Sequence, residues 1–449
     1  MEHPKPTGWK RAYSLFMLLA LIIPILAACG GEATPEEGAG TQSTTGQATA
    51  ATTTGAGGDK VLRIHQPVYP DVFDPQKSSF SNEIAILSLN YEGLTKLDEN
   101  LETVPAAAEE WSYNDDATEL TFTLREGLTY SDGSPLTAEN FRYAAERTCD
   151  PVTAGEYQSI LFDIAGCQEW AETDPSDQAA YDAAKAALGV EAPDDRTLVI
   201  RLTHPAPYFH TVASLWVFYP AKAELIEQGG ETWWQNPELQ IGNGPFQITG
   251  VNEQQLVTFT ANENYWGGRP KLDGIEFVYQ PDSAVALEAY NAGQLDIMQP
   301  DPSQLPTLRD GDLSDQLMEY ASATSYNLTF NLSREPFQDK KVREAFSYAF
   351  DRETYCEQIR NGDCSPTLSW IPEGIPGAIE TDKNGFNPDA ARQALAESSY
   401  GGPESLPEIK LTYNGDAPAA QPRVEWLAGQ FRDILGVTVT LDPVEGTTL

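Results

Sequence analysis

The chain is short of histidine and cysteine, with 4 and 5 in 449 residues. That leaves little stock for a multi-metal enzyme. Basic residues are scarce too: 28 Lys and Arg stand against 67 Asp and Glu, a formal net charge of −39. Such a charge repels phosphate backbones and anionic lipid heads, so no nucleic-acid partner is expected. Catalytic signatures are missing. The sequence contains no G-x-S-x-G, no H-E-x-x-H and no P-loop lysine motif. Gly242-Asn-Gly244 lacks the third glycine of a dinucleotide loop and runs into Pro245. It reads as a tight turn before a strand at Phe246-Gln-Ile248. His204 and His210 straddle Pro205 and Pro207 and give no helical i,i+4 metal pair. Neither a cofactor nor a metal is therefore expected. Carboxylates are so numerous that no pair stands out as a glycosidase-like acid and base.

Apolar residues are plentiful. Hydrophobic residues make up 41% of the chain and aromatics 10%, which is ample for a large core and excludes disorder of the whole chain. At about 150 residues per domain, the length suggests roughly three domains.

Lys5, Lys10 and Arg11 precede a charge-free run from residue 12 to residue 28. A basic segment followed by an apolar one reads as an export signal. The run is marginal for a membrane span, and Pro24 interrupts it. Its end, Leu26-Ala-Ala-Cys29-Gly30, resembles the lipobox of bacterial lipoproteins. That resemblance implies cleavage after residue 28 and lipidation of Cys29, with acyl chains holding the protein to a bilayer. The alternative is an uncleaved signal anchor with an incidental cysteine. Residues 30–59 are almost all small or polar and cannot bury a core, so 29–60 reads as a flexible tether.

Without Cys29, four cysteines remain: Cys149, Cys167, Cys356 and Cys364. An exported protein sits in an oxidising space, so two disulfides are the default. The local pairing Cys149–Cys167 with Cys356–Cys364 is the simplest of the three connectivities. A zinc site is the rival, but the spacings contain no C-x-x-C pair.

The rest of the chain reads as α/β. Leu120, Phe122 and Leu124 alternate with threonines, and Leu198, Ile200 and Leu202 alternate likewise, as do Ile275, Phe277 and Tyr279. Val61–Ile64 and Val437–Leu441 are further strand candidates. Helical spacing puts Val342, Ala345, Phe346, Ala349 and Phe350 on one face between residues 339 and 355. Val424, Leu427, Ala428, Phe431 and Leu435 repeat that spacing, and Gly436 marks a stop. Asn387-Pro388 has the form of an N-cap followed by proline at the first helical position. Asn327-Leu-Thr and Asn331-Leu-Ser are formal glycosylation sequons, read beside a bacterial lipobox as strand residues.

Three stretches together resemble the extracytoplasmic solute-binding proteins of peptide- and nickel-type ABC importers. The first runs from Leu89-Asn-Tyr-Glu-Gly-Leu94 through Ala108-Glu-Glu-Trp111 to Ser131-Asp-Gly-Ser-Pro-Leu-Thr-Ala-Glu-Asn-Phe141. The second joins Gly242-Asn-Gly-Pro-Phe246 to Asn262-Glu-Asn-Tyr-Trp-Gly-Gly-Arg-Pro-Lys-Leu-Asp273 and Ala289-Tyr-Asn-Ala-Gly-Gln-Leu-Asp296. The third is Pro336-Phe-Gln-Asp-Lys-Lys-Val-Arg-Glu-Ala-Phe-Ser-Tyr-Ala-Phe-Asp-Arg352. On their own chemistry these stretches are scaffold: a helix end anchored by Tyr91 and Leu94, turns at Gly127 and Gly133, and two aromatics before a glycine corner.

The resemblance implies a two-lobed α/β fold with an extra subdomain, closing over a solute. Residues 61–92 and 216–299 would form the core of the first lobe, with 93–215 as an inserted subdomain. A hinge near 300–320 would lead into the second lobe, 300–449. Lobe closure involves no covalent chemistry, so no enzyme is expected. The partners it implies are a peptide and an ABC permease with its ATPase, the protein acting as a monomer. A nickel or metal-chelate carrier and an oligosaccharide binder are alternatives within the family. A secreted carbohydrate-active enzyme is the alternative outside it.

In peptide binders of the family, an aspartate in a tryptophan-bearing motif anchors the peptide's amino end. That motif would lie beyond Leu449, so the resemblance implies a second lobe cut short. The arginine some dipeptide binders carry near the loop at 413–418 is absent here. Candidate cleft residues are Tyr69, Asp71, Trp370, Tyr413, Asn414 and Asp416. Tyr69 and Asp71 follow the first strand at its carboxyl end, where ligands of α/β folds tend to sit.

Overall fold

The computed structural model describes residues 60–446 apart from Asp416 and Pro418. The residues read as an export signal, Cys29, those read as a tether up to residue 59, and the candidate Asp416 lie outside the described residues. Along the chain the strands are β1 (Val61–Gln66), β2 (Thr95–Leu97), β3 (Thr103–Pro105), β4 (Ala108–Tyr113), β5 (Glu119–Leu124), β6 (Val190–Asp194), β7 (Thr197–Arg201), β8 (Phe246–Asn252), β9 (Leu256–Ala261), β10 (Gly274–Tyr279), β11 (Ile409–Asn414) and β12 (Val439–Val444). The helices that position the features below are α1 (Ser81–Asn90), α2 (Ala138–Cys149), α3 (Ser283–Asn291), α4 (Leu305–Asp310), α5 (Lys340–Tyr348), α6 (Pro388–Ala396) and α7 (Ala420–Leu435).

The alternation in β5 has a direct consequence. Leu120, Phe122 and Leu124 are each at most 1% exposed, while the threonines between them face outward. This strand pairs antiparallel with β4 and β7 in a sheet ordered β4-β5-β7-β6, with Phe122 opposite Leu198 and Leu120 opposite Ile200. Helix α2 covers the sheet with Phe141 and Ala145, and a disulfide ties its last residue, Cys149, to Cys167. Burying Phe122, Phe141 and Trp170 contributes roughly 2–3 kcal/mol apiece.

A second sheet is ordered β1-β10-β9-β8, with β1 parallel to β10 and the other pairs antiparallel. Its core gathers Phe73, Ile86, Leu87 and Tyr91 from early in the chain with residues between Tyr219 and Tyr279. A third core joins α5, α6 and α7 to the parallel pair β11–β12. Asn387 caps α6 by accepting from the Ala390 amide at 3.0 Å, and Gly436 ends α7 at φ 72°.

Two expectations need correction. The helix read across 339–355 stops at Tyr348. Asp351 accepts from the Thr354 amide at 3.0 Å and so caps a new short helix, Arg352–Thr354, instead of extending the old one. The sequon asparagines Asn327 and Asn331 are not in a strand. Among the described residues β11 and β12 pair only with each other, so this segment has no ladder to join. Asn331 instead accepts from the Ser333 amide at 3.0 Å in a side-chain turn, while Leu328 and Phe330 lean on the third core.

Asp339 fixes the start of α5. Its carboxylate accepts from the Lys341 amide at 2.8 Å and from the Ser399 amide and hydroxyl, both at 2.7 Å. The Ser399 donors hold its carboxyl below the usual carboxylate range. Asp339→Ala is expected to cost about 1–2 kcal/mol near neutral pH, as the loss of a good cap does. Because the native pKa is the lower one, that contribution is complete above the ordinary aspartate value of about 3.9 and fades as pH falls through the native value. Urea midpoints of both proteins across a pH series should converge at the acid end.

Candidate functional site

The motif stretches meet in space. Asn90, at the end of α1, is fully buried and accepts from the Ile248 amide at 3.1 Å through its side chain and from the Gly244 amide at 2.9 Å through its carbonyl. Asn243 and the backbone of Glu92 exchange two hydrogen bonds, 3.0 Å and 2.9 Å. Asn262 donates to the Gly244 carbonyl at 2.8 Å. The Glu92 carboxylate accepts from the Tyr265 hydroxyl at 2.6 Å, from Lys96 at 3.1 Å and from the Trp266 indole. Burial, reinforced by Glu92, pushes the Tyr265 hydroxyl far up from its ordinary pKa. The Arg125 guanidinium lies 3.9 Å from the centre of the Trp266 ring. With its oxygens so occupied, Glu92 serves as a brace between the first two cores.

A second brace has no sequence signature. Arg147, on α2, donates to Asp74 at 2.6 Å and to Gln76 at 2.7 Å. Trp233 donates to the same Asp74 carboxylate at 2.8 Å, and Gln76 donates to the Tyr219 carbonyl at 3.0 Å. Asp74 is 1% exposed and Arg147 9%. The partners are far apart in sequence, and no local spacing could have paired them.

The cleft candidates fall in separate surroundings. Tyr69 is half-buried, its ring 4.8 Å from that of Tyr279 and 6.3 Å from that of Phe73. Burial, helped by Glu253, pushes its hydroxyl up to about 12. Asp71 is exposed. Trp370 is 74% exposed, and its carbonyl accepts from the Ser325 hydroxyl at 2.8 Å. Tyr413 and Asn414 close β11, opposite Pro443 and Val444 of β12. Tyr69 packs against the second core and Asp71 adjoins it in sequence, whereas Tyr413 and Asn414 end a strand of the third. Among the described residues, no group of three or more His, Cys, Asp or Glu side chains is placed to hold a metal.

The connector between the second and third cores was legible only as a range. Asp301 lies 3.8 Å from Arg423 of α7, and Gln304 donates to the Ser283 carbonyl of α3 at 2.9 Å. It therefore touches helices on both sides.

The family model of the bacterial extracellular solute-binding proteins, family 5 (Middle), matches residues 102–449. The chain belongs to that family. An oligopeptide-binding protein, OppA, of Bacillus subtilis (strain 168) is 27% identical over 452 residues, covering 97% of this chain and 78% of the relative. The dipeptide-binding protein DppE of the same organism is 28% identical, with the same coverages of 97% and 78%. Among solved structures, the Escherichia coli murein tripeptide-binding protein MppA aligns with a TM-score of 0.76 at 27% identity, over 87% of this chain and 76% of its own. Listeria monocytogenes OppA bound to peptide aligns with a TM-score of 0.72 at 25% identity, over 87% and 78%. This family 5 protein thus has the two-lobed α/β fold of periplasmic binding proteins. No helix among its described residues is long and apolar enough to cross a membrane.

Proposed function

We propose that this family 5 protein captures peptides outside the cytoplasmic membrane and hands them to an ABC permease by closing its lobes. The observation that carries the reading is the similarity, over 97% of the chain, to binding proteins named for oligopeptides and dipeptides. Residues 61–92 and 216–299 form the core of the first lobe, 93–215 the inserted subdomain and 300–449 the second lobe. Three separate buried clusters support that division. A lipid on Cys29 holds the protein at the membrane, and the monomer works without a cofactor or covalent chemistry. Tyr69, Asp71, Trp370, Tyr413, Asn414 and Asp416 remain the proposed cleft residues.

A ligand that binds only the folded state at a hundred times its Kd adds about 2.7 kcal/mol of stability. A mixture of peptides two to five residues long is therefore expected to raise the melting temperature of the full chain, with the peptides recovered intact. No shift at millimolar peptide, or steady peptide turnover, would overturn the reading.

A further inference from the structure

One group of contacts is used by neither brace and by no cleft candidate. It centres on the loop closed by the Cys356–Cys364 disulfide. At its tip Asn361 stands in the left-handed region at φ 51°, followed by Gly362 at φ 79°. That reversal aims the tip at the connector. The Asn361 side chain donates to the Pro302 carbonyl at 3.0 Å, and the Asn361 carbonyl accepts from Arg309 of α4 at 2.6 Å. Arg309 is itself held by Glu319, which accepts from its Nε at 3.2 Å and from its Nη2. A Cβ at Gly362 would sit 3.4 Å from the Arg309 guanidinium, so the fit is close.

The same connector is fastened to the other side of the molecule. Gln304 donates to the Ser283 carbonyl at 2.9 Å, and the Tyr290 hydroxyl to Gln316 at 2.5 Å. Both partners belong to α3, beside the second core. The base of the loop belongs to the third core's side, where the ring of Tyr355, next to Cys356, lies 5.7 Å from that of Trp426 on α7. A chain of contacts therefore runs from α3 through the connector to a covalently closed loop.

We propose that this disulfide loop is a clasp that holds the connector to the second lobe and sets the balance between open and closed lobes. The crosslink restricts the loop, so its tip meets Pro302 and Arg309 already ordered. Without it, the two connector contacts must order a free loop, and the connector gains freedom where the lobes pivot. The inference rests on the two-lobed peptide-capturing reading, but its first test does not.

That test is hydrogen exchange on the peptide-free full chain, comparing wild type with Cys356→Ser/Cys364→Ser, Asn361→Gly and Arg309→Gln. The last two keep the disulfide and guard against misfolding of the first. Amides between residues 302 and 319 are expected to exchange roughly tenfold faster in all three, the mark of local opening made easier. Cys149→Ser/Cys167→Ser should leave that segment unchanged. In the peptide arm, the Kd of the double-serine variant is expected to shift roughly threefold or more as the open–closed population moves. Unaltered exchange at 302–319 in all three variants would overturn the clasp. If wild type binds no peptide, the functional reading falls and exchange alone decides the clasp.

Discussion

Arg147→Ala is expected to destabilise the folded protein by about 3–5 kcal/mol, because it strands a buried carboxylate. Asp74 is 1% exposed and would keep only the Trp233 indole at 2.8 Å and the Gln76 amide at 3.1 Å. Neither supplies a positive charge. Gln76 would also lose a donor, since Arg147 reaches it at 2.7 Å. Arg147→Lys should recover only part of the loss, because one ammonium cannot reproduce a planar fork reaching two partners. Removing both charges with Asp74→Leu/Arg147→Met should cost less than Arg147→Ala alone, since no unpaired ion is then left in the interior. Urea unfolding of the three variants beside wild type reads the order directly. An Arg147→Ala protein within 1 kcal/mol of wild type would sink the argument.

That brace also marks where sequence reading runs out. Local regularities were visible in advance: the alternation of β5, β7 and β10, the Asn387 cap and the Gly436 stop each depend on neighbours in the chain. The pairing of Asp74 with Arg147 depends on nothing local, so no spacing signalled it. The broken helix after Tyr348 is an intermediate case. Its apolar spacing continues to Phe350, but Asp351 offers a competing cap, and periodicity alone does not weigh the two. Asn327 and Asn331 sit in a segment whose alternation is real, yet a strand is made by its partner, and among the described residues none pairs with it.

The site was legible in the same uneven way. The motif residues from Asn90 to Trp266 announced the family and are the scaffold joint they resembled, with Glu92 saturated by donors. The cleft candidates are strand ends and isolated aromatics, with no shared spacing to tie them together. Tyr69 settles against Tyr279, a contact that depends on how β1 and β10 pair. The Asn361 loop was visible only as two nearby cysteines. What the loop touches follows from the path of the connector, which no spacing encodes.

Glycine supplies the sharpest test of the motif joint. Gly242→Ala is expected to cost about 3 kcal/mol or more, at or beyond the top of the usual range for overpacked interiors. An added Cβ would stand 1.8 Å from the Asn90 carbonyl oxygen and 2.8 Å from the Asn90 side-chain nitrogen. Two backbones meet there, so no side chain can swing away to make room. Any relief must move Asn90, which would weaken its bonds to the Gly244 and Ile248 amides. The damage should therefore spread to β8, read as faster amide exchange across residues 246–252. Gly429→Ala is the opposite case within the same chain. It lies inside α7, and its Cβ would meet only the end of Arg432 at 3.8 Å. Alanine there should stabilise by up to about 1 kcal/mol, because it restricts the unfolded chain and favours the helix. If both substitutions shifted the urea midpoint equally, the close approach at Gly242 would not be what requires glycine.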